Sequence, residues 1–147
     1  MTASDAIATA ENERILRRFL EHTHEGEFDL FDELVSPTVV THGFFGMDAS
    51  DREGYRRFFE NFDRAFGDQK FVLEDLIADG DRIAIRFAIS AVHRGEILGI
   101  EPTGERISWT GAAIDRFEDG RIAEVWIYAD QVAVLRQLGA LPDPAAD

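Results

Sequence analysis

The sequence contains no cysteine, which removes a disulfide framework, a thiolate nucleophile and any cysteine-ligated zinc or iron–sulfur site from consideration. The redox compartment stays open. Lysine is almost absent as well: of 15 basic residues only Lys70 is a lysine, against 29 acidic residues, for a formal charge of −14. With no basic patch, nucleic acid and anionic membrane surfaces are repelled and excluded as partners. The acidic residues are spread along the chain, a pattern that fits either a salt-rich cytoplasm or an arginine-favouring genome. No run approaches the roughly 18 apolar residues that span a bilayer. The N-terminus MTASDAIATAENERILRRF lacks the basic start and apolar stretch of a secretion signal, so the expected location is the cytoplasm. Neither a Gly-rich phosphate loop nor a Gly-x-Ser-x-Gly elbow occurs.

What is present fits one domain over residues 1–147, with a loosely ordered tail from about residue 140. Ile15, Leu16, Phe19 and Leu20 carry the apolar stripe of a helix from Glu11 to about His24, stopped by Gly26. A short helix over 28–35 ends at Ser36-Pro37, and Thr38 to His42 reads as a strand. A loop with Phe44 and Phe45 follows. Ser50 and Glu53 then give a capping-box signature for a third helix through Phe66, with Tyr55, Phe58, Phe59 and Phe62 inward and Gly67 as its stop. From Phe71 the period becomes two. Strands over 71–78 and 82–92 flank Asp79-Gly80-Asp81, an extended piece covers 95–100, and strands over 107–117 and 121–128 flank Glu118-Asp119-Gly120. Helices first and an antiparallel meander afterwards give an α+β fold, with N-terminal helices packed on a curved, mostly antiparallel sheet around a cone-shaped apolar cavity.

The polar groups with chemical potential gather in the last two strands. Strand alternation puts Glu124, Trp126, Tyr128 and Asp130 on one side, and a carboxylate ending an aromatic row is a candidate acid/base. Asp130 is equally placed to cap the helix that follows, which would depress its pKa. Glu124 is either a second buried carboxylate or a surface charge paired with Arg116 or Arg121. His42 and His93 are either pocket residues or hydrogen-bonded strand-end histidines. His22 and His24, beside Glu21 and Glu25, read as solvated. Trp109, Trp126, Tyr128, Phe45 and Phe62 are candidate pocket wall. The residue types of His42, His93 and Asp130 allow a metal, but no HxH or HxxxH spacing occurs, so none is expected.

Several pieces, in order, resemble one family. They are the strand ending in His42 before Gly43-Phe44-Phe45-Gly46, the helix over 51–66, Asp79-Gly80-Asp81-Arg82-Ile83, Val92-His93-Arg94-Gly95 and Leu98-Gly99-Ile100-Glu101-Pro102-Thr103-Gly104. They continue with Arg116-Phe117-Glu118-Asp119-Gly120-Arg121-Ile122-Ala123-Glu124-Val125-Trp126, and with Asp130 before Leu135-Arg136-Gln137-Leu138-Gly139. Together they resemble the SnoaL-like polyketide cyclases and ester cyclases of the nuclear transport factor 2-like superfamily. The resemblance implies an α+β barrel, a homodimer through the open face of the sheet, and a hydrophobic, carbonyl-containing small molecule as substrate. It also implies cofactor-free acid/base catalysis of an intramolecular aldol condensation, with Asp130 at the position of the catalytic aspartate. Cyclases of the family carry a histidine on the preceding strand. Here that strand offers Asp115 and Ser108 but no imidazole, so either His42 or His93 takes the polar role or the reaction is not polyketide cyclisation in the strict sense. A non-catalytic binding module and an isomerase, dehydratase or hydrolase on the same fold remain alternatives.

Overall fold

The computed structural model describes residues 2–44, 49 and 51–142. Helix α1 spans Ala3–His24 and so begins well before Glu11, because Thr2 and Asp5 form a capping box: the Thr2 hydroxyl accepts from Asp5 N and the Asp5 carboxylate accepts from Thr2 N. It ends where Gly26 takes a φ of +77°, the left-handed conformation that glycine tolerates best. A side chain there would also meet Asp63, since a Cβ would lie 2.9 Å from its carboxylate.

The next turn, α2, is confined to Phe31–Leu34, and β1 starts directly at Val35 and runs to His42. Pro37, expected to lie ahead of the strand, lies inside it. The reason is topological: β1 is an edge strand that pairs only with β5, in parallel, and its register shifts between Val35 and Val40. A missing N–H costs little there.

Helix α3 spans Arg52–Ala65 and is capped by Asp51, whose carboxylate accepts from Gly54 N at 2.7 Å. Ser50, the expected cap, lies outside the described residues. Gly67 does not stop the helix, because β2 opens immediately, at Phe66, and runs to Asp79. Arg94 packs where a Gly67 side chain would be, with its guanidinium 2.5 Å from that Cβ position.

Strands β2, β3 (Arg82–His93), β4 (Arg106–Glu118) and β5 (Arg121–Ala129) pair antiparallel in turn, giving a five-stranded sheet in the order β1-β5-β4-β3-β2. The 95–100 segment is not a strand. It closes on itself through one bridge, Ile97 to Ile100, around a turn in which Leu98 and Gly99 both have positive φ. Between β4 and β5, Asp119 and Gly120 have φ of 52° and 73°, the mirror-image turn whose twist matches a tight hairpin. The short helix α4 spans Gln131–Gln137. No helix among the described residues is long and apolar enough to cross a membrane.

The sheet curves around α1 and α3, and an aromatic core fills the space between them. Phe19 packs on Phe31, Tyr55 and Phe59 at ring separations of 5.5 to 5.8 Å. Alternation sets the inner face: Ile83, Ile85, Phe87, Ile89 and Ala91 from β3, then Ile107, Trp109, Ala113 and Phe117 from β4. One inward position of β4 breaks the apolar row, and it is Asp115.

Candidate functional site

A cavity opens between the helices and the concave face of the sheet. Phe19, Leu20 and His24 of α1 line it, with Phe44, then Tyr55, Phe58, Phe59 and Phe62 of α3, and from the sheet Phe71, Phe87, Trp109, Ala113, Asp115, Val125, Ile127 and Ala129 among others. Its interior offers about 60 Å³ to the centres of water-sized spheres, several times the room one water needs. The wall is overwhelmingly hydrocarbon. Among the described residues the lining side chains that carry polar atoms are Asp115, Tyr55, His24 and the indole of Trp109.

Asp115 is only 3 % exposed, and no described residue donates a hydrogen bond to its carboxylate. It pairs across the sheet with Ile83 on one side and Val125 on the other. Burial among such neighbours penalises the charged form and pushes its pKa from 3.8 up to about 7. At neutral pH the group is therefore divided between acid and base, the condition in which a carboxyl can both take and return a proton. Tyr55 is also buried, and burial first, then the charge of Asp115, holds its phenol protonated well above the ordinary range. His24 donates from Nδ1 to Gln69 Oε1 at 2.8 Å and stacks on Phe71 at 4.3 Å. Burial lowers its pKa to about 4, so it is a neutral imidazole and not the solvated histidine expected beside Glu21 and Glu25.

The residues expected to form the site are divided by the sheet. Trp109 and Phe62 line the cavity, with ring centroids 5.9 Å apart. Glu124, Trp126 and Tyr128 do share one face, but it is the outer one. The inward positions of β5 are Val125, Ile127 and Ala129, fixed by pairing with the inward row of β4. Tyr128 is accordingly 69 % exposed. His42 joins this outer group: its ring stacks on Trp126 at 5.3 Å, and its Nε2 lies 2.8 Å from a Glu124 oxygen. Glu124 also accepts from Arg116 Nε at 3.3 Å. The bond from His42, and after it the contact with Arg116, holds its carboxyl below the ordinary value.

Asp130 is exposed and lies outside the cavity, where its carboxylate caps α4 by accepting from Ala133 N at 3.0 Å. The inward row of β5 passes through Ala129; Asp130, the expected acid/base, begins the next element and borders a separate surface groove with Ser108, Trp109 and Ala133. His93 is fully buried behind Phe66, 5.7 Å ring to ring, and does not line the cavity. Its Nδ1 accepts from Thr103 N at 3.1 Å, which ties down the β3–β4 connection. Phe45 lies outside the described residues. One group of three potential metal ligands occurs among the described residues, His22 with Glu27 and Asp29 beyond the end of α1, and it contains none of the expected site residues.

Two residues that line the cavity, Asp115 and His24, were not assigned to it from the sequence. The alternation Ile107-x-Trp109-x-Gly111-x-Ala113-x-Asp115-x-Phe117 places Asp115 on the face of Trp109, so its inward position was available from period two alone. For His24 the available signal was weaker: it lies five residues after Phe19 on an amphipathic helix.

Comparison with known proteins agrees with this architecture. The family model for the SnoaL-like polyketide cyclase matches residues 13–138. Among solved structures, TsrD from Streptomyces laurentii is 30% identical, with a TM-score of 0.80 over 90% of this chain and 97% of that one. IdmH, a candidate polyketide cyclase from Streptomyces antibioticus, is 29% identical, with a TM-score of 0.75 over 87% of this chain and 98% of that one. AclR, a candidate hydroxylase from Streptomyces galilaeus, is 27% identical, with a TM-score of 0.80 over 92% of this chain and 85% of that one. The search of curated proteins finds no match. With 126 consecutive residues, 13 through 138, inside the family model, the chain belongs to the SnoaL-like polyketide cyclase family.

Proposed function

We propose that the protein binds a hydrophobic, carbonyl-containing small molecule in the cavity and carries out cofactor-free acid/base chemistry on it, with Asp115 as the group that moves the proton. The observation that carries this reading is a single buried carboxylate, poised near neutrality, facing an aromatic cavity. In an intramolecular aldol closure the Asp115 carboxylate takes a proton from a carbon next to a carbonyl, and the C–H electron pair passes into the enolate. That carbon then attacks a second carbonyl of the same molecule. As the C–C bond forms the C=O π pair becomes an alkoxide, which takes back the proton held by Asp115. Charge and protons balance without a metal or a redox partner. The Tyr55 phenol, kept protonated, is available to donate to the enolate or alkoxide oxygen.

The test is proton exchange at the α carbon of ethyl benzoylacetate in D2O, followed by NMR. Acceleration by the native protein that disappears in Asp115→Asn supports the reading. Undiminished acceleration in Asp115→Asn removes Asp115 from the mechanism, and binding without acceleration in either form makes the protein a binding module.

The outer face supports a second copy of the chain as partner. Cross-strand pairing aligns Ile77, Ala84, Ile114 and Trp126 in one row that ends at His42, with Ile77 70 % and Ile114 39 % exposed. Such a row covers itself well when two sheets pack face to face.

A further inference from the structure

The proposed reaction assigns no task to His24, although its imidazole lines the cavity. Its protonation pattern is fixed from outside. The side-chain amide of Gln69 donates from Nε2 to the Phe66 carbonyl at 3.1 Å, which settles which end of the amide is nitrogen. Its oxygen then faces His24 Nδ1 at 2.8 Å. A carbonyl oxygen only accepts, so Nδ1 carries the hydrogen and Nε2 carries the lone pair. Burial keeps the ring neutral down to about pH 4, so the lone pair is not lost at neutral pH.

The ring is held in this orientation on three sides. Phe71 stacks on it at 4.3 Å and 17°, while Phe59 and Phe62 meet it edge to face at 6.0 and 6.3 Å. Nε2 has no partner among the described residues. His24, Leu20 and Phe71 form the wall between the cavity and a surface groove that also touches Gln69 and Lys70. Asp115 and His24 therefore present two different demands from two different elements, β4 and α1, with aromatic surface between them.

We infer that His24 is a specificity-determining residue, an obligate hydrogen-bond acceptor that selects ligands carrying a hydroxyl, phenolic or enolic, on an otherwise apolar ring system. The inference rests on the reading of the cavity as a small-molecule site and deepens it by naming the substrate class. A carbonyl or ether oxygen at this position would face the Nε2 lone pair with no proton between them. A hydroxyl supplies the proton, and Gln69 prevents the imidazole from switching tautomer to suit the other group. Gln69 is thus a positioning residue that acts through His24.

The experiment uses a matched pair of probes, 2-naphthol and 2-methoxynaphthalene, titrated calorimetrically into the full-length protein. The native protein is expected to prefer the naphthol about tenfold, the worth of one neutral hydrogen bond in an apolar site, and His24→Phe is expected to bring the two affinities within about twofold. Because the substitution risks disturbing α1, a second measurement needs no variant. In the native protein labelled with 15N-histidine, the His24 Nε2 resonance is expected at the unprotonated, pyridine-type position and to shift upfield when 2-naphthol binds but not when 2-methoxynaphthalene binds. Equal affinities for the two probes, or a protonated Nε2, overturn the inference while leaving the cavity reading intact. Failure of both probes to bind overturns both.

Discussion

Tyr55 on α3 and Asp115 on β4 face the same cavity, and the charge of Asp115 adds to burial in keeping the Tyr55 phenol protonated. In the proposed reaction a donor held in its O–H form and a carboxyl poised near neutrality make a complementary pair, the carboxyl to move the proton and the phenol to stabilise the oxygen on which charge collects. Tyr55→Phe keeps the ring contacts with Phe19, Phe31 and Phe44 and removes only the hydroxyl. The expected result is a fall in turnover of about 10²-fold, the usual scale for one lost oxyanion donor. A thermal melt should show little change, and kcat should fall more than KM rises.

Asp115 should leave a mark on stability as well as on rate. Its folded pKa, about 7, lies above the ordinary 3.8. The folded state therefore holds its proton more tightly than the unfolded chain. Its contribution is fully present below pH 4 and is lost as pH rises through 7. At about 1.4 kcal/mol per pH unit the whole span amounts to roughly 4 kcal/mol. Asp115→Asn removes the penalty for the buried charge, so it should be more stable than the native protein at pH 8 and about equal to it at pH 4. Urea melts at the two pH values measure this. A residue that costs stability at the working pH while its replacement ends turnover is the expected signature of a functional carboxylate.

His24 acts in the opposite direction over an overlapping range. Burial lowers its pKa from 6.5 to about 4, so the unfolded chain takes up the proton first on acidification. The contribution of neutral His24 is present above pH 6.5 and lost as pH falls through 4. His24→Phe is therefore expected to unfold less readily between pH 6 and pH 4 than the native protein, measured by circular dichroism at fixed temperature. Greater acid sensitivity in the variant would contradict the buried neutral imidazole.

Asp130 shows how far the sequence could be read. Its capping geometry was one of the two readings that residue type and position left open; the presence of four helices, the hairpins β2–β3 and β4–β5 and both tight turns was legible because period and turn chemistry are local, whereas the start of α1 at Ala3 and the non-strand segment 95–100 were not. Which face of β5 points inward is not local. It depends on pairing with β4, and the two aromatics Trp126 and Tyr128 outweighed the aliphatic row Val125, Ile127 and Ala129 that lines the cavity. Applied to β4, the same alternation already places Asp115 with Trp109 and Phe117. Asp130→Ala is expected to cost about 1 kcal/mol of stability through loss of the cap and to leave turnover within about twofold. A large loss of activity in a folded Asp130→Ala protein would return this residue to the mechanism.

Ile114 sits at the middle of the outer row, between Ala84 and Trp126. If two copies pack through this face, a charge placed there is buried without a partner, a cost of several kcal/mol that a dimer of ordinary interface size does not survive. Light scattering on the native protein is expected to give twice the chain mass of 16.5 kDa, and Ile114→Glu is expected to give the single-chain mass with its circular dichroism unchanged. Because each copy carries a formal charge of −14, the two subunits repel one another at long range, and that repulsion is screened over about 10 Å at 0.1 M salt and over longer distances as salt falls. Dimer dissociation should therefore be promoted by dilution into low ionic strength. A native protein that stays at 16.5 kDa in both low and high salt would leave the row Ile77, Ala84, Ile114 and Trp126 without a second copy to cover it.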